Sequence, residues 1–177
     1  MGIALKTPRL DVESRGGIFG LGPSSSRKCN NLLRPCLAAE EDSLTDDAAP
    51  EETEIIDLAS TLATICGTLS DAGRNAEYSG KRHAPLRCRP VTIKRAFMNL
   101  VGNAVKYGVR ASVVLCFGDG RIRVDIHDEG PGIPAAEMER VFNPFYRVEP
   151  SRNRETGGFG LGLTIARGAI RAHGGDI

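Results

Sequence analysis

No stretch of the 177 residues approaches the ~20 consecutive apolar positions that a membrane-spanning helix needs. No secretory leader is expected either, because Lys6, Pro8, Arg9, Asp11 and Glu13 interrupt the apolar core that one would need. Met1-Gly2 does not open a myristoylation signal, since Lys6 stands where Ser or Thr is required. Charge of one sign is also lacking: 23 Lys and Arg face 22 Asp and Glu, a formal charge of +1. Such a balance gives no global field that would recruit nucleic acid or an acidic membrane surface. The five cysteines (Cys29, Cys36, Cys66, Cys88, Cys116) form no CxxC pair, and their odd number argues against a disulfide framework. They read as reduced thiols, mostly small core residues, and the chain as a cytoplasmic protein.

Residues 1–36 mix Gly, Ser, Pro and Arg without sustained period, so little fixed structure is expected there. Eight acidic residues between Glu40 and Glu54 read as a solvated linker. The expected division is therefore a largely disordered segment over 1–54 and one domain over 55–177. Within that domain, Ile55, Leu58, Ala59, Leu62, Cys66 and Leu69 mark one face of a helix ending near Gly73. Ala76 to Ser79 and Leu86 to Arg89 read as a strand pair joined through Gly80 to Pro85. Pro90 opens a helix with the face Ile93, Ala96, Phe97, Leu100, Val101 and Ala104, for which Gly108 is the expected C-terminal cap. A β-hairpin is predicted over Ala111 to Phe117 and Arg121 to His127, turning at Gly118-Asp119-Gly120. Pro134 to Val141 reads as a short helix, Asn143 to Gly158 as a mobile loop, and Leu161 to Ala172 as a last helix.

Four short runs carry the chemistry: FMNLVGNAVKYG (Phe97 to Gly108), DEGPGI (Asp128 to Ile133), VFNPFYR (Val141 to Arg147) and GGFGLGL (Gly157 to Leu163). Asn99 and Asn103 stand one helical turn apart with Lys106 three residues on, so they project along one flank. Asparagine is a poor helix-interior residue, and two of them on a well-patterned helix ask for a reason. Mg²⁺ takes hard oxygen ligands and retains most of its water, so Asn103 is the expected metal ligand. Asn99 is its neighbour on the phosphates or metal waters, and Lys106 a phosphate counter-charge. Asp128, at a strand end beside Gly130 and Gly132, can accept a hydrogen bond from an exocyclic amino group such as that of adenine. Gly158, Gly160 and Gly162 form a turn opening a helix, where unpaired N–H groups favour phosphate. That turn is neither GxGxxG nor a P-loop, because no lysine follows. Arg147, Arg152 and Arg154 are candidates for the terminal phosphate. The similar GGIFGLGP (Gly16 to Pro23) is followed by proline and serines rather than by a helix, and is set aside as a site. Together the runs describe a pocket for Mg-ATP. His83, His127 and His173 all lack the helical setting, with a following acidic residue, arginine and proline, of a phosphoryl acceptor. His173 reads instead as a helix C-terminal residue favoured by the dipole.

With these residues named, 55–177 resembles the catalytic and ATP-binding domain of bacterial sensor histidine kinases, within the gyrase, Hsp90, histidine kinase and MutL ATPase superfamily. Asn99, Asn103, Lys106 and Tyr107 match the family's N box, and Asp128, Gly130 and Gly132, followed by Ile133, its first glycine box. Phe142 and Phe145 match the F box; Gly158, Gly160 and Gly162, with Leu161 and Leu163, match the second glycine box. VFNPFYR and SRNRETGGFGLGL resemble osmosensor-like membrane kinases in particular. The resemblance implies an α/β (α+β) two-layer sandwich, a mixed sheet covered on one face by three helices, the Bergerat ATP-binding fold, with a flexible lid between Phe142 and Gly160. It also implies a two-component phosphorelay: transfer of the γ-phosphoryl group to a histidine on a dimerisation domain in cis or trans, with a response regulator downstream. The parent family is commonly tethered to the inner membrane. Only a remnant of the upstream helical hairpin is visible, near Leu37 to Asp42, and the family continues past Gly174-Gly175 into two more strands. The expectation is a fold lacking its last strands and a chain truncated at both ends. An ATP-binding module without kinase activity of its own, a serine kinase that restrains a sigma factor, and an inert truncated product remain as alternatives.

Overall fold

The computed structural model describes the backbone of residues 9–14 and residues 51–118, 121–148 and 159–177 in full. Asp57 opens the first helix. Its side chain accepts the Ala59 N–H at 3.0 Å and so caps helix α1 (Leu58–Asp71), satisfying one of the free amides of the first turn. The preceding residues form strand β2 (Glu54–Asp57) rather than extending the helix, and Ile55 is 65% exposed. Ile55 thus does not belong to the buried helical face. Leu58, Ala59, Leu62 and Cys66 do, and so does Ile65, which the periodicity had not included. Burial pushes the Cys66 thiol up to about 11, so it packs as a small apolar group. Cys88 is buried and Cys116 half-buried, both free; Cys29 and Cys36 lie outside the described residues.

Strands β3 (Asn75–Gly80) and β4 (Pro85–Cys88) exist where expected but do not pair with one another. β4 runs antiparallel to β2, with Ile56 opposite Leu86. β3 instead runs parallel to β5 (Arg110–Gly118), with Ala76 opposite Ala111. A strand's existence is written in local composition, whereas its partner is decided by where the intervening helix returns the chain.

That intervening helix is α2 (Pro90–Gly108), with proline in its first turn and all six expected apolar positions buried. β5 and β6 (Arg121–Asp128) form the expected antiparallel hairpin; Asp119 and Gly120 at its tip lie outside the described residues. Ala111, Val113 and Leu115 of β5 and Ile122, Val124 and Ile126 of β6 are buried on one face. Alternate residues such as Ser112 and Asp125 are half-buried on the other, the period-2 pattern of a sheet with one packed side. Helices α1 and α2 pack on the sheet, and helix α3 (Gly162–Ala172) packs on α2, adding Ala166, Ala169 and Ile170 to the core. Two single 3₁₀ turns, Ala135–Glu137 and Arg140–Phe142, replace the short helix expected over Pro134 to Val141.

The order in the larger sheet is β1-β6-β5-β3, and its first member is a correction. Strand β1 (Arg9–Ser14), in a stretch expected to have little fixed structure, runs parallel to β6 with Leu10 at the register of Ile122 and Val12 at that of Val124. β1 groups with Thr53–Ile177 in one compact unit; a second unit, Gly20–Glu52, lies outside the described residues save Glu51 and Glu52. Among the described residues no helix is long and apolar enough to cross a membrane.

Candidate functional site

Helix α2 ties the motif runs together because it touches two of them. At its middle, the Asn99 side chain faces the start of α3: a Cβ built on Gly162 would stand 3.4 Å from Asn99 Oδ1. At its end, Gly108 lies so close to Asp128 that a Cβ there would meet the Asp128 Cβ at 2.5 Å. This contact explains why Gly108 is not the cap expected of it. Gly108 remains helical, and the left-handed residue is Val109 with φ 64°, a conformation costly for a β-branched side chain.

Asn99, Gly102 and Asn103 form a half-buried strip, while Lys106 and Tyr107 stand exposed at its end with the Lys106 ammonium 5.0 Å from the Tyr107 ring centroid. Neither asparagine amide has a hydrogen-bond partner among the described residues. Half-buried side-chain amides that no described protein group engages keep their donors and acceptors open to a ligand, on residues that helices otherwise disfavour. Asp128 Oδ1 accepts the Gly130 N–H at 2.8 Å, fixing the turn, and its other oxygen has no partner among the described residues. Gly132 takes φ 77°, and Ile133 packs against the core behind it.

The third and fourth runs meet through backbone. Phe145 N–H donates to the Gly160 carbonyl at 3.1 Å, and Thr164 Oγ1 donates to the Phe142 carbonyl at 2.9 Å. Gly160, at φ 75°, has no room for a side chain, since a Cβ would meet the Phe145 carbonyl carbon at 2.9 Å. Phe142 and Leu161 are buried, Leu163 is half-buried, and Phe145 is exposed at φ 64°. Leu161 gives α3 no side-chain cap, so the first-turn N–H groups at Gly162, close to Asn99, have no capping side chain. Arg147 is half-buried and has an interaction of its own. Gly158, Arg152 and Arg154, and most of the lid expected between Phe142 and Gly160, lie outside the described residues.

Sequence reasoning passed over three groups at this site: Gly108, read as a cap, and Thr164 and Arg167 on α3. The His173 Nε2 accepts the Arg89 N–H at 3.0 Å while its Nδ1 lies 2.7 Å from the Ala169 carbonyl. The Nδ1-protonated tautomer makes both bonds at once, so His173 joins the end of α3 to the start of α2 through its ring.

A cluster of three or more His, Cys, Asp or Glu that could hold a metal by itself does not occur among the described residues. Asn99 and Asn103 offer neutral hard oxygens, a donor set suited to Mg²⁺ that is carried mainly by phosphate and water. A surface cavity of about 320 Å³ at Ile55, Ile56, Asp57, His83 and Pro85 includes none of these residues.

Residues 88–177, about half of the chain, match the family described as histidine kinase-, DNA gyrase B- and HSP90-like ATPase. The chain belongs to this family. Among its relatives are the sensor histidine kinase GtrS of Pseudomonas aeruginosa, 36% identical over 127 residues (72% of this chain, 26% of GtrS), and CpxA of Escherichia coli, 35% identical over 118 residues (62% and 26%). The chain therefore spans about a quarter of the length of these kinases. In three dimensions it resembles the mycobacterial sensor histidine kinase MprB, with a TM-score of 0.60, 27% identity and coverage of 69% and 80%. The mixed sheet with its helices is thus the histidine-kinase ATP-binding fold.

Proposed function

We propose that residues 55–177 bind Mg-ATP and act as the catalytic domain of a two-component sensor histidine kinase. In this reading the γ-phosphoryl group passes to a histidine on a separate dimerisation and phosphoacceptor domain. The observation that carries it is the pair of amides, Asn99 and Asn103, without a partner among the described residues, Asn99 beside the start of α3, with the half-used Asp128 carboxylate against the end of the same helix. Asp128 accepts the adenine amino group, and Gly130, Gly132 and Ile133 shape the space around the base. Asn103 ligates the metal and Asn99 holds phosphate or metal water. Lys106 and Arg147 offset phosphate charge, and Tyr107 supports Lys106. Phe142, Phe145, Gly160, Leu161, Gly162 and Leu163 make the floor under the triphosphate, and Gly158, outside the described residues, is assigned to nucleotide binding by the motif. The metal, when bound, neutralises charge developing on the transferring group. This chain's own part is positioning and charge complementarity, and the attacking imidazole needs no base from it.

Two measurements test the assignment. Asp128→Asn turns an acceptor oxygen into a donor and abolishes nucleotide binding; unchanged ATP affinity refutes the role. Asn103→Ala weakens Mg-dependent ATP binding while adenosine affinity holds, and equal losses for both ligands remove Asn103 from the metal site.

The second reading is an ATP-binding module without autonomous kinase activity. Two histidines favour it: His83 is engaged by Asp57 at 3.0 Å, and His173 is held between α3 and α2. Labelled ATP supplied together with a helical hairpin domain decides between the two, since label on the hairpin means kinase. The response regulator is then the next acceptor.

A further inference from the structure

The Arg167 side chain on α3 is largely enclosed, only 15% exposed. Its guanidinium carbon lies 4.3 Å from the centroid of the Phe142 ring, stacked across it. Nη1 donates to Glu139 Oε2 at 3.1 Å, whereas Nε is buried without a hydrogen-bond partner among the described residues and stands 3.7 Å from Asp176 Oδ1. Leaving a guanidinium N–H buried and unsatisfied costs stability, so the packing of this side chain is set by the ring it covers rather than by its hydrogen bonds.

Phe142 is one end of a short path to the phosphate turn. Its carbonyl is held by Thr164, one turn before Arg167 on the same helix. The next residues fold tightly, with Asn143 N–H on the Arg140 carbonyl and Tyr146 N–H on that of Asn143. Phe145 then donates to Gly160, whose turn is shaped by contact with the Phe145 and Tyr146 backbone, because glycine has no side chain to fix it. Moving Phe142 therefore moves the Gly160 turn and the uncapped N–H groups that open α3.

We propose that Arg167 is a positioning residue for the phosphate half of the nucleotide site: clamped over Phe142, and aided by Thr164, it fixes the Gly160 turn at the distance from Asn99 that a polyphosphate requires. The proposal rests on the nucleotide reading above. Arg167 touches no ligand, so its signature is a selective loss of affinity for the phosphates.

The test uses the full chain titrated with Mg-ATP and, separately, with adenosine. Arg167→Met retains the side-chain volume but loses the charged plane; Arg167→Lys keeps a cation over the ring. The expected result is roughly tenfold weaker ATP binding for Arg167→Met, adenosine affinity unchanged, and recovery to within about threefold of wild type for Arg167→Lys. ATP affinity equal to wild type in Arg167→Met overturns the proposal, and so does a parallel loss for both ligands. Should Arg167→Met not fold, Thr164→Val, which removes only the bond to the Phe142 carbonyl, decides on the same criterion. Failure of the wild-type chain to bind ATP at all overturns the nucleotide reading instead, so the two failures are distinct.

Discussion

Asp57 and Asp128 sit at equivalent places, each the last residue of a strand, and the structure uses them differently. Asp57 is saturated. Its Oδ1 accepts the N–H groups of Ala59 and Ala84, and its Oδ2 meets the His83 ring and the Ser60 hydroxyl, so one carboxylate caps α1 and ties down the loop before β4. Among the described residues Asp128 accepts only the Gly130 N–H, and what stands closest to it is Gly108, Gly130 and the end of α2. A carboxylate with every lone pair engaged is a structural staple; one with a whole oxygen to spare, in a wall that tolerates no extra carbon, is equipped to meet something from outside.

The sharpest way to break this comparison is Gly108→Ala. The added methyl meets the Asp128 Cβ at 2.5 Å, so either α2 or β6 shifts. Thermal or denaturant unfolding should show a loss of about 1–3 kcal/mol, together with nucleotide affinity reduced at least tenfold. Retained affinity would mean that the Asp128 wall is not part of the site.

Asp57→Ala should lose about 1–2 kcal/mol of stability while nucleotide affinity stays within twofold. The comparison fails if binding falls as steeply as for Asp128→Asn. The effect has a pH signature. Asp57 is held below the ordinary carboxylate value by the Ala84 N–H above all, then by the His83 ring and the Ala59 N–H, against the opposing pull of burial. A depressed carboxyl contributes stability that is complete above the unfolded value near 4 and is lost as pH falls through the folded one. The gap between wild type and Asp57→Ala, measured by urea melts, should therefore be constant from about pH 5 to 8 and shrink below pH 4.

Smallest is Val109→Gly. Val109 is 74% exposed and forced to positive φ by the room Asp128 takes from Gly108, so the change removes strain and little packing. A gain of up to about 1 kcal/mol is expected in a melt, and a loss would show that the valine side chain matters at the junction.

Much of this was legible from residues alone where the signal was local. The α2 stripe and the alternation of β6 each repeat over enough positions to specify a buried face, and both are buried as read. Legibility ended where a neighbour distant in sequence decided the outcome. Gly108 reads as a cap until Asp128 is known to lie against it, and β3 reads as the partner of β4 until α2 has carried the chain round to β5. Ile55 extends a helical period, yet Asp57 carried the opposing signal, a capping side chain just before the first buried leucine. β1 offered only two alternating apolar residues, Leu10 and Val12, too few to stand out from their surroundings. At the site, the residue types were readable and the Arg167 clamp was not, because a cation stacked on a ring leaves no spacing rule in the sequence.

Strand β1 also sets a schedule for the folding chain. The hydrogen-bonding edge it needs, from Arg121 to Ile126, is synthesised more than a hundred residues after it. A parallel pairing across that separation forms slowly and late. Until it forms, two unsatisfied strand edges wait on the same nascent polypeptide, and chaperones have most to protect during that interval.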